Sequence, residues 1–280
     1  MEEQGRIVSW FSCGAASAVA TKLAIASGHP VTVVYCEVAE EHPDNRRFLL
    51  DCEKWFGQKI IIIGNDRYKR SIFDVFIKTK FLSSPQGARC TAELKKAVRE
   101  KFQRPGDVQV FGYTAEEQGR VDRFIDANNA VKLWSVLVER GLTKSDCLAM
   151  IKNAEIELPV MYQLGYKNNN CVGCVKGGAG YWNKVRVDFP DAFQKMNDME
   201  KHLGRTVTKI TMGSVKNNYS DIYDKLGCPP VKNEKGKPVY WRPRLDELPH
   251  DAGHYPSETS IECGIFCHLA EDEYTQKGCD

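Results

Sequence analysis

The sequence predicts an α/β protein built on a doubly wound, mostly parallel sheet, followed by an irregular cysteine-bearing C-terminal segment. Three observations carry that expectation. Short β-branched and apolar runs, "IVSWF", "VTVVYCEV", "KIIIIG" and "VQVFGYT", alternate with helix-compatible stretches, as strands joined by crossover helices do. A cluster of small residues, Ser12, Gly14, Ala15, Ala16 and Ser17, stands where the first run meets the first helical stretch. After about residue 205 the periodicity weakens into Gly, Pro, Asn and scattered charge.

Taken in order, "IVSWF" is the first strand and "SAVATKLAIAS" the helix that returns to "VTVVYCEV". The segment "NRRFLLDCEKWFG" is the crossover to "KIIIIG". Helices are expected over "SIFDVFIKTKF" and "TAELKKAVREKF", then a strand at "VQVFGYT" and a helix at "EEQGRVDRFIDAN". "VKLWSVLVERGL" and "TKSDCLAMIKNAEI" read as a further helical pair. The expected organisation is one nucleotide-binding α/β domain over 1–200 and an extension over 201–280 that packs back on it and supplies Cys263 and Cys267. No internal repeat or low-complexity tract interrupts the chain.

The small-residue turn occupies the carboxyl end of a strand, where ligands of parallel sheets sit. Residues without bulky side chains let a ligand approach the backbone, and the amides at a helix start favour an anion. Ser12 and Ser17 add hydroxyl donors. Two readings stand side by side: a phosphate or sulfate site, or merely close packing of helix on sheet.

Composition sets the limits. The chain has 280 residues, 42% hydrophobic and 27% charged, enough for a sizeable core. A net charge of +2 gives no polyanion-binding signature over the whole chain, so a nucleic-acid contact would be a local patch. No run reaches membrane-spanning length and "MEEQGR" has no signal-peptide character, so no membrane contact and a cytoplasmic location are expected. Eleven cysteines then point to metal or redox chemistry rather than to a disulfide framework. Six of them, Cys13, Cys36, Cys52, Cys147, Cys228 and Cys279, stand alone and read mostly as small buried apolar residues. Cys171 and Cys174 form "CVGC", and Cys263 and Cys267 form "CGIFC", the close spacing of zinc or iron–sulfur ligands.

Six segments in one order resemble the sulfonucleotide reductases, the phosphoadenosine phosphosulfate and adenosine phosphosulfate reductases of the PP-loop adenine-nucleotide α-hydrolase superfamily. "SCGAAS" sits where that superfamily has its pyrophosphate loop, and "EEHPDNRRF" is similar to the acidic segment after the second strand. "RCTAELKKAV", "GYTAEEQGR", "NNNCVGCVKGG" and "IECGIFCH" resemble the remaining motifs, the last being the reductase tail. Cys13 stands where ATP-cleaving members have Gly, and Ala16 where they have Asp. Phe266 replaces the tail His, and Cys267 is an addition.

The resemblance implies an adenine-nucleotide α-hydrolase-like fold. It also implies a nucleotide site, for phosphoadenosine phosphosulfate or ATP with a possible Mg²⁺, drawing on Ser12, Cys13, Gly14, Ala15, Ser17, Glu41, Lys95, Gly112, Glu117 and Arg120. Arg89 and Lys176 are further phosphate or sulfate clamps, while Glu116 and Glu117 either hold the Mg²⁺ or start a helix. For the metal it implies Cys90, Cys171, Cys174 and Cys267 around an iron–sulfur cluster, 4Fe-4S in type, with structural zinc as the other reading. Cys263 aligns with the tail nucleophile, which attacks the sulfate sulfur and leaves an S-sulfonate for a thioredoxin-like reductant; it is equally placed to be a ligand. The expected function is therefore sulfur transfer or reduction on an adenine (sulfo)nucleotide. Two alternatives are an ATP-dependent thiolation enzyme acting on tRNA or DNA, favoured by the basic and aromatic "KNEKGKPVYWRPR", and a nucleotide-binding non-catalytic subunit. A homodimer is compatible with each. His250 and His254 share an i, i+4 interval but lie in a Gly- and Pro-bearing stretch unsuited to a metal site.

Overall fold

The computed structural model describes residues 5–84, 87–258 and 261. They divide into two compact units: 5–75 with 84 and 87–171, and 76–83 with 172–258 and 261.

The first unit is built on five parallel strands: β1 (Ile7–Phe11), β2 (Val31–Cys36), β3 (Ile61–Ile63), β4 (Val108–Val110) and β5 (Lys132–Trp134), in the order β3-β2-β1-β4-β5. β1 is central, pairing Ile7 with Val31 on one side and with Val108 on the other. Its side chains alternate between two cores. Val8 and Trp10 pack with Val34, Phe111 and Phe124, whereas Phe11 packs with Val19, Phe48 and Phe56. A strand buried on both faces has no polar side to show, which is why "IVSWF" reads as a continuous apolar run.

Helices cover both faces. α1 (Ala15–Ala26), α2 (Asn45–Phe56) and α6 (Lys144–Asn153) supply one core; α4 (Ala97–Phe102) and α5 (Gln118–Ala127) supply the other. The alanines of α1 let it lie close on the sheet, where Thr21 meets Ser9 at 2.8 Å. α3 (Ile72–Thr79) forms as expected from "SIFDVFIKTKF". Before α4 the chain makes a turn of helix at Arg89–Thr91 and then a π-helical segment, Ala92–Lys96.

Two expectations change. "VKLWSVLVERGL" is not one helix: Lys132–Trp134 pairs with β4 as an edge strand, and only Val136–Glu139 is helical. Three residues are too few to show a two-residue period, and the valines and leucines that follow mask the break. The segment beyond 205 is also more regular than expected. α9 (Met212–Asn218) and α10 (Ser220–Lys225) lie there, and β6 (Ile210–Thr211) pairs antiparallel with β7 (Tyr240–Trp241).

The second unit centres on α7 (Ala179–Asp188) and α8 (Pro190–Leu203), with Trp182 edge-on to Phe193 and the Arg186 guanidinium 4.6 Å from the Phe193 ring centroid. The glycines of "KGGAG" are steric requirements. A Cβ on Gly180 would sit 2.6 Å from Tyr255 N, and one on Gly178 2.7 Å from Glu258 Oε1. The Glu258 carboxylate accepts the N–H groups of Gly180 (2.6 Å) and Tyr181 (3.2 Å), so the start of α7 is closed by the chain's own anion.

Candidate functional site

The strand order reverses between β1 and β4, and in open parallel sheets the crevice outside the carboxyl ends of such a pair receives the ligand. β1 leads into Ser12, Cys13 and Gly14, and β4 into Phe111 and Gly112. A Cβ on Gly112 would lie 2.5 Å from Ser17 N and 2.7 Å from Ser17 Cα, so only glycine lets this strand end pass against the first turn of α1. Gly14 is different: a Cβ there meets Tyr162 Oη at 3.4 Å, Ser12 Oγ at 3.6 Å and Ser17 Oγ at 4.0 Å, ordinary contacts among the polar groups of the loop.

The loop is held by its own polar atoms. Ser17 Oγ accepts from Ser12 N–H (3.0 Å) and Ser12 Oγ (3.0 Å) and donates to the Gly14 carbonyl (2.9 Å). The Ala15 amide donates to the Tyr162 hydroxyl at 3.3 Å. Burial pushes the Tyr162 phenol up to about 12, so it stays protonated, and its O–H has no acceptor among the described residues. The amides of Gly14, Ala16 and Ser17 likewise have no hydrogen-bond partner there. Two other helix starts of this unit contrast with α1. Thr114 and Thr143 each form a capping box, with Glu117 and Asp146 returning a carboxylate to the cap. The first turn of α1 contains no acidic residue.

Beneath the loop runs a buried polar chain. Cys13 takes a left-handed backbone (φ 56°), its thiol faces the Asn45 carbonyl at 3.7 Å, and its carbonyl accepts Asn169 Nδ2 at 2.7 Å. Asn169 Nδ2 also donates to Asn45 Oδ1 (2.7 Å), and Asn45 Nδ2 to Glu41 Oε2 (3.1 Å). Glu41, only 8% exposed, receives the Tyr35 hydroxyl on that oxygen and pairs with buried Lys95 at 3.2 Å on the other. Lys95 is carried by the π-helical segment, a local widening often found at functional positions. Burial first, and then the Glu41 charge, raise the Tyr35 phenol and the Cys13 thiol far above their usual ranges, so both keep their protons. Cys13 is thus a packed thiol and not a thiolate nucleophile. Asn169, 7% exposed, has its amide nitrogen fixed by two acceptors, while its Oδ1 has no partner among the described residues.

The structure therefore gathers Ser12, Cys13, Gly14, Ala15, Ser17, Glu41, Lys95 and Gly112 around one loop. Glu117 lies in the Thr114 capping box and pairs with Arg120, whose guanidinium stands 5.0 Å from the Tyr113 ring centroid. Glu116 accepts the Lys144 amide (3.2 Å) at the start of α6. Arg89 pairs with Glu93 at 2.7 Å. The residues that sequence reasoning missed are Tyr35, Asn45, Tyr162 and Asn169. Asn45 and Asn169 lie inside the motif segments quoted above; Tyr35 and Tyr162 carry no sequence signal.

Cys90 is half-buried at the Arg89–Thr91 turn, and Cys171 and Cys174 are buried. The amides of Gly173 (3.0 Å) and Cys174 (2.9 Å) donate to the Tyr181 hydroxyl. Among the described residues no three His, Cys, Asp or Glu side chains gather as metal ligands. Cys263 and Cys267 lie outside the described residues. No described helix is long and apolar enough to cross a membrane. Comparison of the chain with protein-family models, curated proteins and solved structures returns no match.

Proposed function

We propose that the chain binds an adenine nucleotide with its phosphate or sulfate oxygens on the Ser12–Ser17 loop, as a sulfonucleotide reductase-like enzyme of the PP-loop superfamily. The observation that carries this is the start of α1 at the strand-order reversal: amides of Gly14, Ala16 and Ser17 without partners, no internal acid, and a protonated Tyr162 beside them. Unpartnered donors in the loop and an unpartnered acceptor at Asn169 suit a ligand offering both anionic oxygens and hydroxyl or amine groups, as a nucleotide does.

In the proposed reaction the Cys263 thiolate attacks the sulfate sulfur, the sulfur–oxygen bond to the nucleotide breaks, and the nucleotide leaves with that electron pair on its phosphate oxygen. A thioredoxin-like dithiol then reduces the resulting S-sulfonate and releases sulfite. The loop amides hold the phosphate that becomes the leaving group. An iron–sulfur or zinc centre drawing on Cys90, Cys171, Cys174 and Cys267 belongs to the same proposal, since thiols are its proper donors. Anaerobic purification with iron, sulfide and zinc analysis tests it.

Gly14→Ala tests the binding step, because its methyl fits the folded loop yet stands in the ligand's approach. Calorimetry should show at least tenfold weaker binding of phosphoadenosine phosphosulfate or ATP, and unchanged affinity refutes the site. Intact-protein mass spectrometry after incubation with phosphoadenosine phosphosulfate and no reductant should find a sulfonate on Cys263. ATP consumption dependent on tRNA or DNA, without that adduct, favours the thiolation reading, to which the basic surface of the second unit gives specific support.

A further inference from the structure

The charge of this chain is segregated. Residues 205–244 hold nine Lys and Arg against three Asp and Glu, a formal +6 in a chain of net +2, so the remainder sums to −4. Lys209, Lys216, Lys232, Lys235, Lys237 and Arg242 are all exposed, and none has an ion-pair partner among the described residues. By contrast, Lys201, just before this stretch, and Arg244, at its end, both reach Asp246.

These cations stand on a built support. Asn233 Oδ1 accepts the amides of Lys235 (3.0 Å) and Lys237 (2.9 Å), Gly236 turns the chain at φ 69°, and Lys232 bridges antiparallel to Pro238. Val239 N–H to Val231 O (3.0 Å) closes the base of this hairpin. The chain then enters β7, where Tyr240 pairs with Thr211 and Trp241 with Ile210. Tyr240 remains 39% exposed, and the Lys209 ammonium lies 4.8 Å from its ring centroid. A lysine-tipped hairpin running into an exposed aromatic ring on a fixed strand offers point charges for a phosphate backbone and a flat face for an unstacked base.

We propose that this surface binds single-stranded nucleic acid, with Lys232, Lys235 and Lys237 on phosphates and Tyr240 stacked on a base. A duplex offers the phosphates but hides its base faces. The basic surface works independently of the nucleotide loop, so the two are tested separately.

The test uses the full chain and fluorescence anisotropy with labelled 20-nucleotide single-stranded DNA, single-stranded RNA and a DNA duplex, from 50 to 200 mM KCl. At least one single strand should bind more tightly than the duplex, and the DNA-to-RNA ratio identifies the preferred strand. The Lys232→Gln, Lys235→Gln, Lys237→Gln triple variant should lower the slope of log affinity against log salt by about 2, at about 0.7 per phosphate contact. Tyr240→Ala should weaken binding about tenfold with the slope unchanged, and Tyr240→Phe should restore it. Circular dichroism and adenine-nucleotide calorimetry should match wild type in every variant, showing that each is folded. Absence of binding to both single strands at 50 mM KCl, tighter binding to the duplex, or a triple variant with wild-type slope overturns the proposal. Wild-type affinity of Tyr240→Ala overturns it as well. So does binding to phosphatidylserine vesicles that the same lysine and tyrosine changes abolish while single strands fail to compete.

Discussion

Two buried glutamates, one in each unit, meet opposite surroundings. Glu41 sits under the loop with a cation, Lys95, on one oxygen and the side chains of Tyr35 and Asn45 on the other. Glu200, fully buried on α8, has no such cation: its oxygens accept the backbone amides of Val207 (2.6 Å) and Leu245 (2.7 Å), and burial pushes it up to about 7. The first ties together three side chains, from β2, α2 and the π-helical segment, the kind of network that holds a ligand site in one geometry. The second pins two backbone segments to a helix and serves the fold. Burial of a carboxyl is thus no sign of function by itself; the chemistry of its partners distinguishes the two.

The largest expected effect breaks the Glu41 side of this contrast. Glu41→Ala strips the carboxylate from buried Lys95 and should cost about 3–5 kcal/mol in urea unfolding, with nucleotide affinity lost alongside. Adding Lys95→Met should recover much of the stability but none of the binding, which separates the ion pair from its use.

Glu200 responds to pH instead. Its folded value of about 7 lies above its ordinary value of 4.5, so the folded state holds the proton more tightly and stability falls as pH rises between the two. The loss from pH 5 to pH 7.5 should be about 2 kcal/mol, and Glu200→Gln should flatten that slope in unfolding curves of the full chain. An unchanged slope would remove Glu200 from the account.

Gly112→Ala acts on the loop without touching either glutamate. The methyl forces β4 and the first turn of α1 apart, costing about 1–3 kcal/mol and weakening nucleotide binding, read by thermal unfolding and calorimetry. Cys13→Gly should change least. Relief of the left-handed backbone, about 1 kcal/mol, offsets the lost packing of the thiol, and nucleotide binding should persist because Cys13 offers no thiolate.

Much of the sheet was legible because its central strands are buried on both faces and appear as unbroken apolar runs. The edge strand Lys132–Trp134 was not, since half its surface is open and its composition merges with the helix that follows. The small residues of the loop and Gly112 were legible because close approach of backbone leaves few residue types to choose from. Tyr35, Asn45, Tyr162 and Asn169 come from distant segments and act through hydrogen bonds that exist only once the sheet has assembled, so no local pattern announces their roles. The aromatic and basic stretch near residue 240 was visible as composition; its hairpin, and the exposure of Tyr240, were not.

The π-helical segment Ala92–Lys96 also bears on how the chain tolerates changes in length. A π turn holds one residue more than an α turn, so removing Ala92 would let the segment close into regular helix instead of breaking it. Every side chain beyond the deletion would keep nearly its native phase relative to Arg89, because the wider π turn spends one more residue on about the same angle that an α-helix covers at roughly 100° per residue. The helix would survive such a deletion with Lys95 still on the face that meets Glu41. The extra residue is therefore absorbed locally as a bulge, one that a single-codon loss could erase without unfolding the protein.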